Sequence, residues 1–390
     1  MKFIPQAHQC ISTEDIEAVK QSLQGDWITR GAKVLAFEQA VADFCGAKYA
    51  VAFNSGTSAL MAAYSSVDAN ANDRLITTPN TFVATAGGAM HCQVTPIFID
   101  IDRNTGNFDL NQLKINIDNF EATRGRLIIA PVHFSGIAVD MQKLDGLLAS
   151  PDSVVIEDAA HAIGSYYPDG KTRVGSCRWS HMTIFSFHPS KTITTGEGGM
   201  VTTNDENLFN RLRRYRDNGI ERDPQNSTEQ NQLGYYEVMQ ITGNYHFTEI
   251  QAALGISQLN RLDEFVAKRR ALVKRYREKL QNASHIRLFT DQNDKQTAFH
   301  LFVVQINFSA YGKTRKEVMI KLKDKGIGTQ VHYIPMYRHP VFSKGKETLT
   351  SYFPETEAYY SQALSLPLFF ELERSQVDEI CKTLIEVLNS

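Results

Sequence analysis

Seven short apolar runs separated by amphipathic stretches constrain this chain more than any other feature. Between about residues 48 and 205 they read "YAVAFN", "RLITT" (74–78), "TPIFID" (95–100), "RLIIAPVHF" (126–134), "SVVIEDAA" (153–160), "MTIFSF" (182–187) and "GMVTTN" (199–204). Gly, Pro and Asn bound the runs, and helical segments such as "FVATAGGAMHC" and "MQKLDGLLAS" lie between them. Continuous apolar strands alternating with helices predict an α/β chain: a mainly parallel sheet with helices on both faces.

After Thr248 the texture changes. "EIQAALGISQLNRLDEFVAKRRALVKRYREKLQ" keeps helical spacing over many turns and reads as a helix leaving the sheet. Strand-like "AFHLFVVQIN" (298–307) and "GTQVHY" (328–333) follow among helices, which predicts a smaller α+β domain. The expected division is a large domain over 1–254, including the N-terminal segment, and a small one over 255–390. A length of 390 residues suits two such cores.

Charge and cysteine content exclude several classes. The formal net charge is −2, so no nucleic-acid groove is expected, and the basic "RLRRYRDNGIER" reads as a solvated helix face. Cys10, Cys45, Cys92, Cys177 and Cys381 are scattered without metal-ligand spacing, so neither a disulfide framework nor a metal is expected. "MKFIPQAHQC" lacks a signal-peptide profile and no apolar run approaches a membrane span, so the expected location is cytoplasmic.

Four segments carry candidate chemistry. In "FSFHPSKTITTGEGGM" (185–200), Lys191 follows a strand and precedes a Gly-rich turn. A lone lysine there is ordinarily a surface residue. In "VVIEDAAHAIG", Asp158 and His161 stand at the carboxyl end of a buried strand, the edge where open α/β sheets bind ligands. Acids there also cap helices, but the spacing lets Asp158 and His161 share one side of a first turn. In "FNSGTSALMAA" (53–63), Gly56 allows a tight turn and Thr57 and Ser58 open a helix. Such a terminus is an anion site or a plain N-cap. Phe82, in "TPNTFVATA" (78–86), is either core or a stacking partner for a flat ring. No GxGxxG or Walker pattern occurs, which disfavours dinucleotide and P-loop chemistry.

Together these residue types match one cofactor. Pyridoxal 5'-phosphate needs a lysine amine for a Schiff base, a carboxylate at its pyridine nitrogen and donors for its phosphate. An ionised Asp158 keeps the ring nitrogen protonated, and Lys191 is placed to carry the α-proton.

With these motifs in this order, the chain resembles the DegT/DnrJ/EryC1/StrS sugar aminotransferases. The resemblance runs from "GDWITRGAKVLAFE" (25–38) through "VHYIPMY" (331–337) to "SLPLF" (365–369). It implies the fold-type-I architecture of PLP enzymes, with pyridoxamine 5'-phosphate as the intermediate cofactor form. Carried over by position, Lys191 matches the Schiff-base lysine and Asp158 the pyridine-nitrogen partner. His161 matches the residue near the phenolic oxygen, Phe82 the ring-stacking aromatic, and Gly56, Thr57, Ser58 and Ser186 the phosphate site. Asn244, in "TGNYHFTEIQAALG", matches an asparagine that reaches the phosphate of a neighbouring subunit, which implies a homodimer with shared sites. His246 stands where many relatives have a basic residue. Trp27, Thr29 and Arg30 of "WITRG", with His332, Tyr333 and Tyr337 of "HYIPMY", are candidates for the sugar-nucleotide pocket. The implied reaction moves the amino group of L-glutamate to C4 of a UDP-4-keto-6-deoxy-N-acetylhexosamine, as in pseudaminic acid biosynthesis. The alternatives are another 4-keto-6-deoxy sugar nucleotide, GDP-linked or UDP-linked, a sugar dehydratase of the same fold, or an inactive homologue. A retained lysine and acid argue against the last two.

Overall fold

A computed structural model of the chain describes residues 3–120, 125–148, 152–222, 234–343 and 349–390. All seven apolar runs are strands: β1 (Tyr49–Phe53), β2 (Arg74–Thr77), β3 (Thr95–Phe98), β4 (Leu127–Ile129), β5 (Val154–Asp158), β6 (Met182–Ser186) and β7 (Gly199–Thr203). They form one sheet in the order β1-β7-β6-β5-β4-β2-β3. The ladders from β3 to β6 are parallel, and β7 runs antiparallel to both β6 and β1.

Side chains alternate across these strands, and the two sets join different cores. Val155 and Phe185 point to a core shared with Phe37, Val41, Leu262 and Phe265. Ile156 and Ile184 point to the other, beneath the helices Gly56–Ser66 and Val83–Met90. Burial on both faces is why these strands read as unbroken apolar runs rather than alternating ones. The same period of two sends Asp158 and Ser186, the last residues of β5 and β6, to the face of Ile156 and Ile184. Glu157 and Thr183 go to the opposite face.

The long helical segment after Thr248 is two helices, Glu249–Asn260 and Leu262–Leu280, broken at Arg261. Residue 255, where the division was expected, lies inside the first helix. Its Ala252 and Leu259 belong to the core of the large sheet, as do Leu262, Phe265 and Val266 of the second helix. From Leu272 onward the second helix joins a separate core. That core also holds Ile4, whose strand-like bridge to Ile327 ties the N-terminal segment to the C-terminal part. It is built on an antiparallel sheet of β10 (Ile286–Leu288), β11 (Phe302–Ile306) and β12 (Ala363–Leu366). A two-stranded ribbon, β8 (Ile220–Glu221) and β9 (Glu237–Val238), completes the strands.

One local expectation is corrected and two are observed in part. "GTQVHY" is not a strand; only Gln330 bridges to Ser365, and the segment then turns inward at His332 and Tyr333. The basic cluster on the helix Glu206–Arg216 is divided: Arg214 and Arg216 turn inward, while Arg211 and Arg213 keep to the solvated face. Arg216 is buried against Glu38 at 2.6 Å, Arg211 meets Asp68 at 2.7 Å, and Arg214 meets Glu221 at 2.5 Å. "MQKLDGLLAS" is helical over Met141–Asp145, and its residues 149 and 150 lie outside the described residues. No described helix is long and apolar enough to cross a membrane.

Candidate active site

At the carboxyl edge of the sheet lies a cavity of about 560 Å³ lined by Gly56, Thr57, Phe82, Asp158, His161, Ser186, Lys191, His332 and Tyr333. Five separate segments converge here. Parallel strands β5 and β6 end side by side, and the β1-to-helix turn is drawn over them by close backbone packing. A Cβ on Gly199 would stand 2.3 Å from the Ser55 carbonyl oxygen, and one on Gly56 would stand 3.0 Å from Ser186 Cβ. Only glycine lets β7 and the helix start approach this closely.

Asp158 is buried and locked. Its Oδ2 accepts from Thr85 Oγ1 at 2.6 Å, and its Oδ1 accepts from the Ala160 N–H at 3.1 Å. Thr85 is in turn bonded to Thr81 at 2.7 Å. Two donors on one carboxylate fix its orientation. Lys191 is partly open to the cavity but ringed by protein. Burial pushes its ammonium down to about 8, with the Asp158 charge opposing. Its Nζ makes no ion pair among the described residues, so the amine is free to react.

His161 is not available in the way its spacing suggested. The Ser135 N–H donates to its Nδ1 at 3.2 Å, so the neutral ring carries its proton on Nε2, which faces the Tyr333 hydroxyl at 3.0 Å. Burial, with Lys191 and His332 nearby, holds His161 well below the usual histidine range, so it stays neutral. Both ring nitrogens are therefore engaged. The Tyr333 oxygen accepts from His161, and its own proton is left to donate into the cavity that Tyr333 lines. Burial, then Asp158, raises the Tyr333 phenol, which stays protonated.

The helix Gly56–Ser66 presents its first-turn N–H groups to the same cavity. Ser58 does not join them. Its hydroxyl is buried in the capping box with Ser55, at 3.0 Å, and donates to Asn54 Oδ1 at 2.6 Å. Thr57 and Ser186 are the hydroxyls that line the cavity. Phe82 is not core; it is 56% exposed and forms one wall.

The remaining candidates lie elsewhere. Tyr337 is buried outside the cavity, its hydroxyl donating to Glu357 at 2.7 Å. Trp27, Thr29 and Arg30 are exposed and do not line this chain's cavity. Thr29 bridges to Thr248, and the Glu249 N–H bonds to the Ile28 carbonyl, so this loop is fastened beside the Asn244 segment. Asn244 is likewise exposed and outside the cavity; its Oδ1 accepts from the His246 N–H at 3.1 Å, and His246 pairs with Asp217 at 2.9 Å.

Sequence reasoning missed Thr85, Ser135 and the Glu157 cluster. Glu157, fully buried on the opposite face, accepts from His133 and Tyr167 at 2.7 Å, from Thr183 at 2.8 Å and from Ser180. The inaccessible carboxylate is stabilised by these donors, His133 first, which hold it below the usual range against the cost of burial. It fastens β5 to the loops on either side.

The sequence profile of the DegT/DnrJ/EryC1/StrS aminotransferase family matches residues 9–385. The chain belongs to this family. It is 35% identical over 387 residues to the spore coat polysaccharide biosynthesis protein SpsC of Bacillus subtilis, covering 99% of this chain and 97% of that one. It is 32% identical over 388 residues to the UDP-4-amino-4,6-dideoxy-N-acetyl-beta-L-altrosamine transaminase of Campylobacter jejuni, covering 99% and 98%. Among solved structures it overlays Helicobacter pylori PseC, an aminotransferase of pseudaminic acid biosynthesis, with a TM-score of 0.88, 28% identity and 99% of each chain covered. Membership makes it a pyridoxal-phosphate-dependent sugar aminotransferase with the fold-type-I α/β architecture.

Proposed function

We propose that the chain transfers the amino group of L-glutamate to C4 of a UDP-4-keto-6-deoxy-N-acetylhexosamine, forming the 4-amino sugar nucleotide of pseudaminic acid biosynthesis. The observation that carries the aminotransferase site is the convergence of Lys191, Asp158 and a helix N-terminus on one cavity. The acceptor rests on the full-length likeness to a transaminase named for that sugar.

The residues fit the cofactor. Gly56, Thr57 and Ser186 offer N–H and hydroxyl donors to a phosphate, where a side chain on residue 56 would crowd Ser186. Asp158, fixed by Thr85 and Ala160, pairs with the pyridine nitrogen and keeps it protonated. Phe82 supplies the flat wall against the ring. Tyr333, oriented by His161, is the hydroxyl donor on the phenolic side. Bound pyridoxal phosphate supplies the electron sink that stabilises negative charge at the substrate α-carbon. Lys191 would hold the cofactor through Nζ, and the same atom would carry the proton of the substrate α-carbon. Burial, which lowers this amine to about 8, favours the uncharged form that can join a carbonyl group.

The assembly in this reading is a homodimer with composite sites. The "WITRG" loop and Asn244 share one exposed region outside their own cavity, with Trp27 71% and Ile241 93% exposed. Apolar side chains so open mark an association surface. Across it, Asn244 reaches the partner's phosphate site, and Trp27, Thr29 and Arg30 join His332 and Tyr333 around the sugar nucleotide.

Single-turnover reaction of the glutamate-treated enzyme with UDP-, GDP- and dTDP-linked 4-keto-6-deoxy sugars tests the acceptor. The UDP-linked N-acetylated sugar should react fastest. Faster reaction of a GDP or dTDP sugar overturns the UDP assignment.

A further inference from the structure

L-glutamate and a sugar nucleotide are both anionic reactants, yet among the described residues no arginine lines the cofactor cavity. The donor's carboxylate has to be met by polar groups that the cofactor leaves free. In the proposed cofactor site, Gly56, Thr57 and Ser186 meet the phosphate, Asp158 the pyridine nitrogen and Tyr333 the phenolic side.

Most of the remaining groups are committed. The Ser55 hydroxyl is held in the capping box with Ser58 at 3.0 Å, and the Thr81 hydroxyl by Thr85 at 2.7 Å. Glu197 lines the cavity too, but its carboxylate would repel another one. His332 faces the Ser365 hydroxyl through Nδ1 at 2.8 Å. A hydroxyl can donate or accept, so the ring proton of His332 is not fixed on the cavity side. Burial, with Lys191 nearby, pushes this histidine down to about 4, so it brings no charge either.

His188 differs from all of these. It is exposed, lines the cavity, and opens the turn that carries Lys191, whose N–H donates to the His188 carbonyl at 2.8 Å. Such a turn, with Pro189 in its second position, keeps the Cα atoms of His188 and Lys191 within about 7 Å. The Ser190 N–H donates to His188 Nδ1 at 3.2 Å, and the Ser190 hydroxyl stands 2.9 Å from the same atom. A backbone N–H can only donate, so Nδ1 is the bare nitrogen and Nε2 carries the proton. That Nε2 has no hydrogen-bond partner among the described residues. A donor of fixed tautomer thus stands one turn away from the reacting lysine. What it recognises is an acceptor. The donor's amino group must come to the place that Lys191 Nζ holds, and the α-carboxylate is two bonds from that amino group. The diphosphate of a sugar nucleotide lies several bonds further from its reacting C4.

We infer that His188 binds the α-carboxylate of the amino donor through Nε2–H, with Ser190 fixing the ring. The inference rests on an amino acid serving as donor, as proposed above.

Stopped-flow conversion of the cofactor-loaded enzyme to its pyridoxamine form tests this, with L-glutamate, its α-amide L-isoglutamine and its γ-amide L-glutamine. The wild-type enzyme should favour L-glutamate over the α-amide. His188→Ala should lower the second-order rate constant with L-glutamate about tenfold or more and shrink the preference over the α-amide in proportion. The preference over the γ-amide should stay. His188→Gln, which keeps an N–H donor, should recover part of the loss. His188→Phe, which fills the space of the ring without the donor, should match the alanine variant and serves if that variant loses its cofactor. A loaded variant that keeps the wild-type preference over the α-amide overturns the inference. So does a loss that falls on the γ-amide comparison instead, or one shared equally by the keto-sugar half-reaction. If another L-amino acid converts the wild-type enzyme and L-glutamate does not, the glutamate reading fails. The comparison then uses that amino acid and its α-amide, where an unchanged preference again overturns the role of His188.

Discussion

At the residue scale, the chemistry depends on which atoms remain free. Asp158→Asn keeps the shape of the side chain but removes its charge, so the ring nitrogen loses its proton. Steady-state kinetics should show kcat lower by about one to three orders of magnitude, the size of a neighbouring charge's effect on a pKa, with cofactor retained. Near wild-type turnover would remove Asp158 from that role. Tyr333→Phe tests the reading of His161. With Nδ1 filled by Ser135, His161 orients and Tyr333 donates. The variant should keep its fold, lose roughly a hundredfold in kcat, and shift the pH at which the bound cofactor changes colour. An unshifted spectral titration would return the donor role to His161. Buried His161 and His300 both sit well below the ordinary histidine value, chiefly through burial. The unfolded chain then binds more protons, so their stability contribution is complete above about pH 6.5 and is lost as the pH falls below it. Urea unfolding of the cofactor-free protein between pH 7 and 5 should show a decline of roughly 1.4 kcal/mol per pH unit for each histidine. A flat profile would mean these rings are solvated.

At the scale of elements, the helix Gly56–Ser66 separates two roles that the sequence merges. Ser58 and Thr57 are adjacent hydroxyls at a helix start, and only their direction tells a cap from a ligand. Ser58→Ala should cost about 1 kcal/mol of stability with little change in cofactor affinity. Thr57→Ala should do the reverse, weakening the cofactor about tenfold or more. Denaturation curves and cofactor titrations of the two variants decide it, and a matching loss of affinity in Ser58→Ala would restore Ser58 as a ligand. The same limit explains the rest of what was legible. All seven strands of the large sheet were readable because burial on both faces leaves an unbroken apolar run, as in Val154–Asp158. The reversed direction of β7 was not, since direction leaves no mark on composition. Asp158 could be placed from its position at a strand end and Lys191 only from the company of the other motifs, and both line the cavity. Thr85 could not, because its bond to Asp158 spans 73 positions and depends on how one helix lies over the sheet. Tyr337 and Tyr333 share a motif, yet one turn of backbone sends the first to Glu357 and the second to His161.

At the scale of the molecule, the cavity of one chain holds the chemistry, while "WITRG" and Asn244 stand outside it. In the proposed homodimer with shared sites, these segments serve the partner's cavity instead. Mixing Lys191→Ala chains with Asn244→Ala chains under exchange should restore about a quarter of the sites, since half the dimers are mixed and each has one intact site. No recovery in a verified mixed dimer would make each site self-contained. Whether the cofactor sits on Lys191 is decided by borohydride reduction of the purified enzyme followed by peptide mapping. One pyridoxyl group per chain is expected on the peptide "FSFHPSKTITTGEGGM" at Lys191; a label on any other lysine, or none, would remove Lys191 from that role.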